Sequence, residues 1–261
     1  MKSIVINLVR AADRRVKIEA QFAAFGMPFE ILEATDGKLL TNTERNLVDH
    51  NRRKAITVYP LTDNEIGCWL SHRRAMERLM ESGEPMAAII EDDAVFSPEF
   101  ADVMKAIEKQ ADRFDFIFLH RKHKRGEIFA PCRELLPGMQ LGRIGYAHMG
   151  AIAYVVSRKG AEKFLEYAPR FGHAVDKEIH RYWANGLDIY GLERPIAAQD
   201  DGGKSYIEET RMQESGNRAA RAKYPDAGKL YWRLMRGLTR FRDSVHKRLI
   251  FSSYVKKGRA A

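Results

Sequence analysis

The run Ala87-Ala88-Ile89-Ile90, followed at once by Glu91-Asp92-Asp93, constrains the fold of this chain more than any other segment. Four consecutive apolar residues show none of the alternation of a half-exposed strand. They read as a strand buried on both faces, which needs helices above and below its sheet. Other segments fit that reading. Ile4-Val5-Ile6 is a first strand, and 114–119, 151–156 and 187–192 are further short apolar runs. Helical patterns lie between them. One carries Val16, Ile18, Phe22, Ala23 and Phe25 and stops at Gly26 and Pro28. Another spans 65–81, with Ile66, Trp69, Leu70, Met76 and Met80 on one stripe, and stops at Gly83 and Pro85. A glycine just past the last turn and a proline soon after it are the usual end of a helix. Ser97-Pro98 reads as a cap with proline at the first helical position, Ser157 as the opening of another helix, and 174–185 as a further helix ended by Asn185-Gly186. The alternation predicts an α/β fold, a mostly parallel central sheet flanked by helices.

Charge locates a second region. Of 261 residues, 44 are Lys or Arg and 35 are Asp or Glu, a formal net of +9. Between residues 229 and 259 there are ten basic residues and one acid, Asp243, so this segment alone carries +9 and the rest is neutral. A basic tail on a neutral body is a poor match to a nucleic-acid-binding domain, and no specific nucleic-acid partner is expected. The polar stretch 199–228 reads as linker, which divides the chain into a body, 1–210, and a linker with its basic tail, 211–261. Two cysteines, Cys68 and Cys132, exclude a disulfide framework and fit reduced thiols in the cytoplasm. No apolar run is long enough for a spanning helix, and the first residues do not form a secretory signal.

Three segments invite a chemical reading. Glu91-Asp92-Asp93 ends a buried strand, where ligand groups collect in open α/β sheets. Three adjacent carboxylates repel unless a positive group sits among them, which a hard divalent cation shared with a diphosphate would supply. A solvated acidic turn is the plain alternative. In 64–72, Ser71 and His72 point about 100° apart on a helix and make no nucleophile–base pair. Cys68 reads as a small buried hydrophobe. Glu65 and His72 share one helical face, read as a polar surface. Gly202-Gly203-Lys204-Ser205 ends like a phosphate-binding loop, but Ala198 stands where its leading glycine belongs. There is no Gly-x-Gly-x-x-Gly and no metal-spaced Cys/His cluster, which argues against a nicotinamide dehydrogenase and a zinc enzyme.

Taken in order, these pieces resemble glycosyltransferase family 25, the bacterial lipooligosaccharide and lipopolysaccharide sugar transferases. The resemblance rests on Ile6-Asn7-Leu8 with Arg10, Asp13 and Arg14, on Ala34-Thr35-Asp36-Gly37, and on Leu61 with Glu65-Ile66-Gly67-Cys68 and Leu70-Ser71-His72. It continues through Ile89-Ile90-Glu91-Asp92-Asp93, Gly150 with Ala153-Tyr154, residues 157–161, Val175-Asp176, Pro195, Gln199 and Ser205-Tyr206-Ile207. It departs at Ala174, where the family has proline. The resemblance implies a GT-A-like fold and an inverting, metal-dependent transferase. Such an enzyme moves a hexose, most often galactose, from a UDP-sugar to a sugar acceptor of a lipid-linked core oligosaccharide. The implied donor-binding residues are Asn7, Leu8, Arg10, Glu91 and Asp92. Asp92 and Asp93 would hold Mn²⁺ or Mg²⁺, and Asp176 would be the catalytic base, a helix N-terminal acid being its plainer reading. Glu65 and Glu178 stand next as bases. Arg10 and Arg14 could hold phosphate or form surface ion pairs. A non-catalytic scaffold held to membrane or nucleic acid by the tail, and a metal-dependent nucleotidyltransferase, are the competing readings.

In the tail, Leu230, Tyr231, Leu234, Leu238, Phe241, Val245 and Leu249 follow steps of one, three or four among the cations. That is a helix with one apolar stripe. It predicts either a basic amphipathic helix lying on an anionic membrane, placing the protein on the cytoplasmic face of an inner membrane, or a terminal helix docked on the body.

Overall fold

The computed structural model describes residues 1–110, 113–120, 129–145, 150–200 and 226–258. Its first half runs β1 (Lys2–Asn7), α1 (Ala12–Phe25), β2 (Phe29–Glu33), α2 (Asn42–Arg45), α3 (His50–Lys54), α4 (Asp63–Ser82), β3 (Met86–Glu91), β4 (Ala94–Phe96) and α5 (Phe100–Glu108). The second runs β5 (Phe116–Phe118), β6 (Phe129–Leu136), β7 (Met139–Ile144), β8 (Ala153–Ser157), α6 (Arg158–Tyr167), α7 (Val175–Ile179), α8 (Tyr182–Asn185), β9 (Ile189–Leu192), β10 (Ala197–Gln199) and α9 (Leu230–Gly258). Eight strands form the central sheet in the order β2-β1-β3-β8-β5-β9-β7-β6, and β4 pairs with β10 in a small second sheet. The expected parallel character holds for β2-β1-β3 and β5-β9, whereas β8, β7 and β6 enter antiparallel. The architecture is the GT-A-like α/β sheet flanked by helices that the resemblance implies.

Strand parity builds the two sides of the core. Ile4, Ile6, Ala87 and Ile89 point to one face and pack under α4 and α6, with Trp69, Met76 and Phe164. Val5, Ala88 and Ile90 point to the other and pack under α1 and α5, with Phe22, Phe100 and Met104. Trp69 lies flat on Phe171, ring centroids 4.1 Å apart. The helix ends follow the sequence. Gly26 and Gly83 take left-handed φ values of 60° and 76° after α1 and α4, and Ser157 Oγ accepts from Gly160 N to cap α6. Thr62 and Glu65 close α4 with a reciprocal capping box. Ala174, the departure from proline, has φ −59° and ψ 150°, a φ that a proline would also impose.

Two expectations need correction, and one element is new. Ser97 does not cap a helix. A short strand, β4, follows the acidic triplet, Ser97 O accepts from Phe100 N in a turn, and α5 starts only at Phe100. The 174–185 helix is two helices, because Arg181 leaves helical angles (φ −85°, ψ 47°). Asn185 Nδ2 then caps the released carbonyls of Glu178 and Ile179. The β6–β7 hairpin, turned at Gly138 with φ 74°, was not anticipated. The linker over 201–225, with the rejected 202–205 loop and the boundary at 210, lies outside the described residues.

Candidate active site

The chain leaves β1 toward β2 on one side and reaches β3 on the other, so the sheet reverses direction of growth between β1 and β3. Ligand clefts form at the carboxyl ends of strands at such a switch point. A cleft opens there, with Leu8, Arg10, Arg14, Glu91, Asp92 and Asp93 on its wall and floor. Its far side is the start of α4, held very close to the loop after β2. A Cβ on Gly67 would lie 2.6 Å from Thr35 O, and one on Gly37 2.6 Å from Asp63 O. Only glycine permits this approach, which accounts physically for both glycines of the Ala34–Gly37 and Glu65–Cys68 pieces.

The acidic triplet divides into two parts. Glu91 is the last residue of β3 and shares the parity of Ala87 and Ile89, so it faces α4. There it meets His72, which is buried, with Nε2 3.1 Å from Glu91 Oε1 and Nδ1 3.0 Å from Tyr154 Oη. With Glu91 ionised, Nε2 donates to the carboxylate and Nδ1 accepts from the phenol. Withdrawal from solvent, with Asp93 and Asp92 close by, pushes the Glu91 carboxyl up against the pull of His72. Burial likewise pushes the Tyr154 phenol well above its ordinary range. The face of Glu65 and His72, read as a polar surface, is thus buried. Glu65 serves the capping box, and His72 ties the helix to the strand.

Asp92 and Asp93 turn the opposite way. Asn7, at the end of β1, donates through Nδ2 to Asp92 Oδ2 at 2.7 Å and to Ala11 O at 3.2 Å. Arg14 Nη1, one turn into α1, lies 3.2 Å from Asp92 Oδ1 and 3.5 Å from Asp93 Oδ2. Gln199 Nε2, on β10, donates to Asp93 Oδ2 at 3.1 Å. The positive group that three carboxylates demand is therefore present in the chain, as Arg14. Burial still outweighs Asn7 and Arg14 and raises the Asp92 carboxyl. Asp93 Oδ1 is buried and has no hydrogen-bond partner among the described residues.

That orphaned oxygen is the test of metal fit. A carboxylate oxygen buried without a donor needs a cation or a water, and oxygen donors suit Mn²⁺ or Mg²⁺. A second donor group, Cys68, His72 and Glu91, has its ligand atoms within 4.8 Å of one another. Both nitrogens of His72 are engaged there, and the group reads as a hydrogen-bonded wall. Both cysteines are free thiols.

Of the remaining residues singled out from the sequence, Leu8 lines the cleft and Arg10 pairs with Asp36 at its rim. Asp176 is half-buried in the first turn of α7 and is not among the residues that line the cleft. Glu178 is fully buried between Arg52 and His173, which hold its carboxyl below the ordinary range despite burial. His72, Tyr154 and Gln199 had no assigned chemistry. All three stood among the pieces of the family resemblance, and for His72 the spacing from Glu65 was a further local signal.

The sequence profile of "Glycosyltransferase family 25 (LPS biosynthesis protein)" matches residues 1–179. A "Glycosyltransferase 25 family member" of Anopheles gambiae is 30% identical over 175 residues, and procollagen galactosyltransferase 1 of Danio rerio is 28% identical over 176. The human inactive glycosyltransferase 25 family member 3 is 31% identical over 173. Each match covers 63% of this chain and 28% of the relative, so the chain aligns with little more than a quarter of each of these longer proteins.

Proposed function

The chain belongs to glycosyltransferase family 25, and from that premise we propose that it transfers a hexose, galactose foremost, from a UDP-sugar to a hydroxyl of a bacterial lipopolysaccharide or lipooligosaccharide core acceptor, with inversion at the anomeric carbon. The observation that carries this reading is Asp93 Oδ1, a buried oxygen at the switch-point cleft without a partner among the described residues. Galactose is supported by the relatives named as procollagen galactosyltransferases, and the acceptor class by the family's description.

Asp93, with Asp92 beside it, would hold Mn²⁺ or Mg²⁺, which supplies Lewis-acid stabilisation of the departing diphosphate. Arg10 and Arg14 face the same space and add positive charge for the phosphates. Asn7 keeps the Asp92 carboxylate oriented. Glu91, braced by His72 and Tyr154, presents its carboxylate to a donor hydroxyl. In the transfer itself the acceptor oxygen forms the new bond to the anomeric carbon. The bond from that carbon to the diphosphate oxygen breaks, and the acceptor proton passes to a carboxylate, for which Asp176 is the proposed base.

A relative named as inactive is as similar to this chain as one named as a galactosyltransferase, which favours a second reading, a non-catalytic scaffold of the same fold. A donor screen decides between them. The protein is incubated with Mn²⁺ and UDP-galactose, UDP-glucose, UDP-N-acetylglucosamine or GDP-mannose, and products are read by mass spectrometry. Free UDP from one donor is the expected result. Pyrophosphate released in a parallel incubation with UTP and a sugar 1-phosphate would mark a nucleotidyltransferase, and no turnover of any donor would sink the transferase reading.

A further inference from the structure

Helix α9 uses two opposite faces in different ways. One face docks it on the body, against α8 and the β6–β7 hairpin. Arg236 is buried and donates to Lys54 O at 3.1 Å and Ala227 O at 2.8 Å. Asp243 accepts from Arg181 at 2.6 Å. Lys247 sits over the Trp183 ring, and Phe251 packs onto Gly145.

The other face is open to solvent. Leu230, Leu234, Leu238, Phe241, Val245 and Leu249 follow steps of four, four, three, four and four, which at 100° per residue confines them to about a quarter-turn of the helix. Their exposure runs from 37% to 71%, and Tyr231 beside them is 60% exposed. The other large exposed hydrophobics among the described residues, Val9, Val16, Leu39 and Val95, are scattered over separate elements. A contiguous apolar stripe of this length marks a surface that is covered in use.

Charge identifies what covers it. Arg242 and Arg248 are exposed at the two borders of the stripe, Arg233 and Arg240 are exposed farther round the helix, and the one acid of the helix, Asp243, is turned inward onto Arg181. A second copy of α9 laid on this stripe would bring arginines against arginines with no acid to balance them. Nucleic acid would satisfy the arginines and leave the leucines and Phe241 against phosphate. A bilayer with anionic headgroups satisfies both. No described helix is long and apolar enough to cross a membrane. An exposed apolar stripe bordered by cations is the composition of a helix that lies in the interface.

We propose that α9 is an interfacial helix that seats this protein on an anionic lipid surface while its opposite face stays docked to the body. Leu238 and Phe241 enter the acyl boundary, and Arg242 and Arg248 meet the headgroups. The helix lies at the β6 edge of the sheet, so binding there leaves the β1–β3 cleft open. An acceptor anchored in the same surface would then be met by two-dimensional diffusion.

The test is sedimentation of the full chain with vesicles of phosphatidylcholine alone and of an equal mixture with phosphatidylglycerol. Binding is expected to the mixed vesicles only, and to weaken as salt is raised. Leu238→Asp with Phe241→Asp should reduce binding at least about tenfold. Because both side chains are exposed, the thermal midpoint and donor hydrolysis should not change. Arg242→Gln with Arg248→Gln should reduce binding by roughly fivefold per charge and flatten the salt dependence. Wild-type protein that stays in the supernatant with mixed vesicles overturns the proposal. So does a folded Leu238→Asp/Phe241→Asp variant that sediments like wild type, or a self-association that this variant abolishes.

Discussion

The cleft between β1 and β3 and the exterior of α9 both concentrate charge, but by opposite constructions. In the cleft the charged and polar groups come from distant parts of the chain, residues 7–14, 72, 91–93 and 199, and meet at hydrogen-bond distance. On α9 the charges come from one continuous segment and most point outward, with Arg236, Asp243 and Lys247 turned in. Buried charge demands partners because desolvation is costly. Exposed charge does not, and it can be kept for a surface the protein meets later. Damage to the cleft should therefore be felt in chemistry with little change at the tail, and damage to the tail's outer face the reverse.

The sharpest break is Asp93→Asn. It should remove nearly all transfer, a loss above about 10²-fold, with an unchanged thermal midpoint and unchanged vesicle binding, and a chelator should do the same to the wild type. Full activity of the variant in chelator would show that the orphaned oxygen holds no cation. Asp176→Asn comes next. A general base contributes about 10²–10⁴-fold, so turnover should fall in that range while donor affinity, measured by calorimetry, stays put. If turnover is near normal, the base is another carboxylate, and Glu91→Gln becomes the comparison, with Glu91 already in the cleft.

A smaller effect is expected from Gly67→Ala. The added methyl meets Thr35 O at 2.6 Å, backbone against backbone, so α4 must move from the cleft wall. Such overpacking costs about 1–3 kcal/mol, read as a lower denaturation midpoint together with weaker donor binding. Gly237→Ala, on α9 with nothing within 4 Å of the added carbon, should be neutral or slightly stabilising. Equal effects at the two glycines would erase the distinction between the crowded cleft and the open helix.

The smallest effect is a pH dependence beneath the docked face of α9. His180 packs on Phe118, and burial, aided by the charge of Lys247, holds its pKa at about 3, below the ordinary 6.5. It is neutral in the folded protein. Between pH 6.5 and 3 the unfolded chain binds the proton and the folded one does not, so stability falls as pH drops through that window. Burial also lowers His173, in the same direction. His180→Leu should shrink the fall in thermal midpoint between pH 7 and pH 5 without abolishing it. An identical fall in wild type and variant would mean that His180 carries none of it.

The elements were legible where local signals were strong. Gly26 and Gly83, the run 87–90 and the stripe of α4 gave their helices and strand, because turn chemistry and periodicity act within a few residues. The break at Arg181 was not legible. It depends on an ion pair with Asp243, sixty-two residues away, and on Asn185 capping freed carbonyls. Ser97 looked like a cap because nothing local announces that Ala94–Phe96 will pair with β10, a partner found only after the chain has folded.

The site divides along the same line. The sequence by itself determined that three carboxylates end a buried strand, that they need a positive neighbour, and that a basic helix with one apolar stripe closes the chain. Each of these follows from residue type and short spacing. Contacts between distant segments alone set that Glu91 faces His72 while Asp92 and Asp93 face Arg14, that Arg14 supplies the positive neighbour, and that α9 docks by the face of Arg236, Asp243, Lys247 and Phe251 and leaves its leucines outside. Those outcomes depend on strand parity, the order of strands in the sheet and the pairing of buried charges, and all three are set by contacts between segments far apart in the chain.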